Sequence, residues 1–127
     1  MIKFTVPGDP VGYLRMTQGD LKLLRIPLYK LRPENLRRRS QIERYQDYKK
    51  LVWLMSVNKG IDRNPKKKVL LRTMSYFANG RHPDAENCHK AVSDALFTND
   101  KMVCGSFDFG YDPARPRVEV EIEQGEE

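Results

Sequence analysis

The sequence predicts a small α/β protein: a mixed β-sheet with two main helices packed against it, in the order strand, basic arm, helix, strand, helix, strand, strand. Three observations carry this. Apolar and polar residues alternate near both ends of the chain, at Ile2, Phe4 and Val6 and again at Val118, Val120 and Ile122, the period of a strand with one covered face. Between them, two segments repeat apolar residues at helical spacing. The length, 127 residues, suits one domain with a two-layer core and leaves no room for a second, so residues 1–127 are read as one domain.

The first strand ends sharply at Pro7-Gly8-Asp9-Pro10. Val11 to Asn35 has no clear period and contains Gly12, Gly19, Pro27 and Pro33, so it reads as an irregular basic arm, with at most a short hairpin through Leu21 to Leu31. Ser40 and Glu43 fit the S-x-x-E capping box, which places a helix start there. Ile42, Tyr45, Tyr48, Val52 and Met55 then form a core stripe, widened by Leu51 and Leu54, with Gly60 as the stop. Trp53 and the tyrosines of this helix are read as core. In this placement Arg37, Arg38 and Arg39 stand just before the helix, where their charge opposes its dipole and points to a partner outside it.

Val69 to Phe77 carries apolar residues on both faces and reads as a central strand covered on both sides. Asn79-Gly80 breaks it. Cys88, Ala91, Val92, Ala95 and Leu96 mark a second helix that begins near Asp84. A strand is expected at Met102 to Phe109, then a turn from Gly110 to Pro116. The last strand exposes Glu119, Glu121 and Glu123, and Gln124 to Glu127 read as a frayed tail.

Charge is divided unevenly. The 23 Lys and Arg against 17 Asp and Glu give 23 − 17 = +6. Residues 1–60 hold 13 basic and 5 acidic groups, and residues 61–127 hold 10 and 12. A basic half of this kind suits a polyanion such as nucleic acid, with Arg15, Arg37, Arg38, Arg39, Lys49, Lys50 and Arg81 as candidate phosphate contacts. The longest apolar run, Leu51 to Met55, is far too short to cross a membrane, and Ile2 to Val6 lacks the apolar run of a signal peptide. Two cysteines build no disulfide framework, so a reducing, cytoplasmic setting is expected.

The chemistry-bearing stretch is Arg81-His82-Pro83-Asp84-Ala85-Glu86-Asn87-Cys88-His89-Lys90. On a helix starting near Ala85, Glu86 and Lys90 stand at i and i+4, Asp84 sits at the helix start and Asn87 lies close by. Asp100, after the helix, is placed to fold back toward the same surface. Grouped carboxylates resist joint ionisation unless a cation neutralises them, and a hard divalent ion does so with oxygen ligands. The plainer reading keeps Asp84 as a cap and Glu86 with Lys90 as a surface ion pair. Zinc fits poorly, because His82, Cys88, His89 and Cys104 match no common spacing and Cys88 falls on the apolar face. That burial also speaks against Cys88 as a nucleophile. No Walker A, G-x-G-x-x-G or G-x-S-x-G is present, and no small-molecule cofactor is expected.

Pro83 to Leu96, P-D-A-E-N-C-H-K-A-V-S-D-A-L, resembles the P-D-x-D-N-x-x-K-x-x-x-D-A-L signature of the RusA family of Holliday junction resolvases. Asn99-Asp100-Lys101-Met102-Val103 stands where that family commonly has D-D-x-x-V, and Phe4 to Val11 is similar to its first strand and P-G-x-P turn. The resemblance implies a homodimeric endonuclease, dependent on Mg2+ with Mn2+ as an alternative, that resolves four-way DNA junctions by paired nicks in recombination and repair, in the cytoplasm at the nucleoid. It implies Asp84, Glu86 and Asp100 as metal carboxylates and Lys90 as the catalytic lysine, with Asn87 the motif asparagine and Asp94 a structural aspartate. The chain departs from the pattern at Glu86, one methylene longer than Asp, at Asn99, and in a shorter loop before Asp100. The alternative is a non-catalytic nucleic-acid-binding module with a basic surface.

Overall fold

The structure is a computed structural model, described over residues 1–124. Its elements are β1 (Ile2–Pro7), α1 (Gln18–Arg25), a 3₁₀ turn (Leu28–Lys30), α2 (Pro33–Ser56), β2 (Val69–Phe77), α3 (Ala85–Leu96), β3 (Val103–Tyr111) and β4 (Arg117–Gln124). The four strands form one mixed sheet in the order β1-β4-β2-β3. β4 runs antiparallel to both β1 and β2, and β3 runs parallel to β2. A parallel neighbour needs a crossover, and α3 supplies it. The small α/β fold expected from the alternating strands and helical stripes is the one observed.

One face of the sheet is covered. Val6 lies opposite Val118, and Leu71 opposite Ile122, so the apolar sets of neighbouring strands share that face. Tyr45, Tyr48 and Val52 of α2 and Ala91, Val92, Ala95 and Leu96 of α3 close the core over it. The other face is open, which corrects the expectation of a doubly covered β2. Leu70, Met74 and Tyr76 are half-buried there and Arg72 is exposed. Ion pairs and a cation over a ring cover it in place of a second layer: Arg72 reaches Glu121 at 3.9 Å and Glu123 at 3.7 Å, and the Arg117 guanidinium lies 4.0 Å from the Tyr76 ring centre. Pleating with partial cover makes such a strand look two-sided in sequence.

The basic arm is ordered rather than irregular, and there is no hairpin at 21–31. The capping box belongs to Thr17 and Asp20: the Thr17 hydroxyl accepts from Asp20 N, and the Asp20 carboxylate accepts from Thr17 N at 2.9 Å. Asp20, buried, also takes a two-pronged bond from Arg38, with Nε–Oδ1 at 2.9 Å and Nη2–Oδ2 at 2.8 Å. The guanidinium, helped by the Thr17 amide, holds the Asp20 carboxyl well below the usual carboxylate range. α1 is therefore pinned to α2.

α2 starts at Pro33, two turns earlier than Ser40 suggested. Proline at the first helical position has no N–H to leave unpaired, so it opens the helix instead of breaking it. Arg37, Arg38 and Arg39 consequently lie inside α2, and Glu43 pairs with Arg39 one turn back at 2.9 Å. The helix stops at Ser56, before Gly60, and the chain turns through Asn58 with φ 66°, a conformation asparagine tolerates.

At the other end, β3 runs on through Gly110 to Tyr111, and the turn is confined to 112–116. Gly105 is required where it stands: a Cβ there would lie 1.6 Å from the Leu71 carbonyl oxygen of β2. Gln124 ends β4, and the rest of the expected tail, residues 125–127, lies outside the described residues.

Candidate active site

Asp84 caps α3. Its backbone is extended, and its Oδ1 accepts from Asn87 N at 2.8 Å. The Asn87 carbonyl in turn accepts from Tyr13 N at 2.9 Å, which lays the chain after β1 across the start of α3. A Cβ on Gly12 would meet Pro83 Cβ at 2.9 Å, so only glycine lets the two segments approach this closely. On the other side of Pro83, the His82 ring stacks on Phe77 with centres 3.7 Å apart. His82 Nδ1 donates to the Pro83 carbonyl at 2.6 Å, and Nε2 lies 3.0 Å from the Tyr111 hydroxyl. The loop that delivers Asp84 is thus held from both flanks.

Glu86 and Lys90 occupy the flank that their spacing predicts. Lys90 Nζ lies 3.5 Å from Glu86 Oε1, and both side chains are more than half exposed. One turn further, Asp94 accepts from the Tyr45 hydroxyl at 2.6 Å and pairs with Lys49 Nζ at 3.0 Å, joining α3 to α2. Lys90, Asp94 and Asp100 then line a cleft of about 420 Å³, together with Tyr13, Ser93, Phe97 and Thr98.

Asp100 therefore joins Lys90 and not Asp84. It follows the C-terminal end of a 12-residue helix whose first turn holds Asp84 and Glu86, and a helix of that length spans about 18 Å. Among the described residues, no group of three His, Cys, Asp or Glu side chains is placed to hold a metal ion. The donor chemistry of the first turn still fits a hard ion. Asp84 and Glu86 offer carboxylate oxygens on an exposed surface, and Mg2+ is commonly held by one or two carboxylates with water and substrate phosphate completing its shell.

The neighbouring titratable groups face the core. Burial pushes the Cys88 thiol up to about 11, which leaves it no nucleophile at neutral pH. Burial also lowers His89 below its ordinary value, and its Nδ1 lies 2.8 Å from the Thr73 hydroxyl.

The basic candidates divide by what they touch. Arg38 is spent on Asp20 and on the Arg15 carbonyl at 3.2 Å. Arg39 is held by Glu43 and the Ile26 carbonyl, and Lys49 by Asp94. Arg15, Arg37, Lys50 and Arg81 are exposed. Arg44 of α2 is exposed as well. It shares with Arg81, Asn79, His82 and Pro83, and with the carboxylate residue Asp9, a concavity of about 200 Å³ beside the start of α3. No local pattern marks Arg44, because what brings it to Arg81 is the packing of α2 against the sheet.

No protein-family model matches the chain, and no curated protein matches it. Among the described residues, no helix is long and apolar enough to cross a membrane.

Proposed function

We propose that this protein is a metal-dependent endonuclease of branched DNA, acting as a homodimer on four-way junctions in the cytoplasm, at the nucleoid. The observation that carries the reading is the opening of α3. The P-D-x-E-N-x-x-K string starts a helix at Asp84 and sets Glu86 and Lys90 side by side on an open flank, in the manner of the RusA-like signature.

In this reading Asp84 and Glu86 hold Mg2+ or Mn2+. When bound, the ion supplies charge neutralisation and an activated water for phosphodiester hydrolysis. Lys90 sets a positive charge against the phosphate under attack. Arg44 and Arg81, beside Pro83, hold a neighbouring stretch of backbone, with Arg15, Arg37 and Lys50 extending the basic surface. Asp100 lines the cleft that Lys90 also borders.

A binding module without cleavage is the second reading. It is favoured by the capping bond that already occupies Asp84 Oδ1, and by the place of Asp100 beyond the far end of α3.

The deciding experiment incubates the protein with a synthetic four-way junction or linear duplex, in Mg2+ and in chelator, beside Asp84→Asn. Asparagine caps a helix as well as aspartate does, so the variant keeps its fold while losing a charged oxygen ligand. Junction nicking in Mg2+, absent in chelator and absent in Asp84→Asn with binding retained, is the expected result. Junction binding without nicking in either Mg2+ or Mn2+ leaves the binding module as the function.

A further inference from the structure

Between α1 and α2 the chain passes through the 3₁₀ turn Leu28–Lys30, and this turn presents an apolar tip to solvent. Tyr29 is 83% exposed and Leu28 65%, and among the described residues no other aromatic side chain is as open as Tyr29. The tip is held from both ends. Pro27 fixes the entry, Lys30 N donates to the Pro27 carbonyl at 2.9 Å, and Leu31 N donates to the Leu28 carbonyl at 3.2 Å. Arg39 of α2 binds the Ile26 carbonyl on one side, and Pro33 opens α2 on the other.

Cations surround this tip. Lys22, Arg25, Lys30, Arg32 and Arg37 are all exposed, and none of them makes an ion pair among the described residues. Over residues 21–37 the only acid set against them is Glu34. The basic surface then continues toward the start of α3. Arg37 and Arg44 are two turns apart on α2, so they share one face about 10 Å apart along the axis, and Arg44 borders the concavity that Arg81 lines. Unpaired cations in this number repel a second copy of the chain and suit a polyanion. A track that leads from the tip into a concavity suits a flexible phosphate backbone better than a lipid plane.

We infer that the Leu28–Tyr29 turn is a wedge that enters the DNA stack at a branch point, with Tyr29 stacked on an unstacked base and the surrounding cations on the phosphates to either side. The inference rests on the DNA-binding part of the nuclease proposal and not on cleavage. Phosphate contacts position a protein but are offered alike by a junction and by each of its duplex arms. An apolar wedge tells the two apart. Entering a continuous duplex costs the stacking of a base step, whereas at a branch point the stack is already interrupted and the ring gains a partner at little cost. Because the turn is ordered before binding, little conformational freedom is lost when it inserts.

The test titrates the full chain, in chelator so that no strand is cut, into a labelled four-way junction and into a linear duplex of the same arm sequence. Tyr29→Ala should weaken junction binding about five- to 150-fold, the range for removing the aromatic partner of one stacked base, and leave duplex binding and its salt dependence unchanged. Tyr29→Trp should restore the preference for the junction. Arg32→Gln should instead weaken both substrates alike and lower the salt slope. Tyr29 and Arg32 are exposed, so the unfolding midpoint should not move in any of these variants. A Tyr29→Ala chain that keeps the wild-type ratio of duplex to junction Kd, or that loses both substrates equally, overturns the wedge and leaves the nuclease proposal standing. A wild-type chain with no preference for the junction overturns both. Loss of binding to phosphatidylserine vesicles in Tyr29→Ala, with junction binding intact, overturns the wedge and assigns the tip to a lipid surface.

Discussion

Removing one oxygen from Tyr45 tests how α2 and α3 are held together. The Tyr45 ring is 2% exposed, and its hydroxyl donates to Asp94 at 2.6 Å across the helix interface. Tyr45→Phe keeps the ring and opens no cavity, so what is lost is one hydrogen bond to a charged acceptor. Asp94 keeps its Lys49 partner at 3.0 Å and faces the open cleft, where water replaces the missing donor. The loss should therefore fall at the low end of the range for such bonds, about 1.5 kcal/mol. With about 2.1 cal/mol/K of unfolding entropy per residue, that corresponds to a fall in Tm of about 6 °C for this chain. Thermal and urea unfolding followed by circular dichroism measure it, with an unchanged urea m-value as the check that the unfolded state is unaltered. Asp94→Asn combined with Tyr45→Phe should cost less than the two changes added, since both remove the same bond. A Tyr45→Phe chain within about 0.3 kcal/mol of wild type, or strict additivity with Asp94→Asn, would refute the interhelical bond as a source of stability.

Other outcomes follow from the same geometry. Neutralising Arg44 and Arg81 together should weaken DNA binding and flatten its log–log salt dependence by up to about 0.9 per lost contact. Arg38→Ala should instead lower Tm by releasing α1 and leave that slope unchanged, a split that binding titrations at several salt concentrations resolve. Gly105→Ala should cost about 2 kcal/mol or more by urea unfolding, because the new methyl group meets the Leu71 carbonyl and β3 must move away from β2. Stability should fall at both pH extremes. Burial raises Cys88 to about 11 and lifts the Tyr45 and Tyr48 hydroxyls above their ordinary range. The stabilisation from these protonated groups is complete below their unfolded values and is lost as pH climbs from about 9, the ordinary thiol value, through the folded ones. His89 works in the opposite direction: its folded value lies below the ordinary 6.5, so its share is present above that pH and is lost on acidification. Urea midpoints from pH 5 to pH 11 should trace both limbs, and His89→Gln should flatten the acid one.

Short-range patterns in the chain encode the local elements. The start of α3 at Asp84, the Glu86–Lys90 pair and the buried stripe from Cys88 to Leu96 are all set by residues within about three turns of one another, where capping chemistry and helical period act. The alternation of β1 and β4 and the charge asymmetry of the two halves are equally local or compositional. The remaining features depend on packing between segments, because their partners are far apart in the chain. The arm became α1 through Asp20 meeting Arg38, 18 residues away, and the early start of α2 is secured by that bond and by the Arg39 contact with Ile26. Asp94 found Tyr45 across 49 positions, and Arg44 met Arg81 through the packing of α2. Alternation tells which face a strand buries but not which strand lies beside it. Strand order was therefore settled only on folding: β4 passed between β1 and β2, β3 was left on the edge with its aromatic rings exposed, and Asp100 came to line the cleft bordered by Lys90 and Asp94, apart from Asp84.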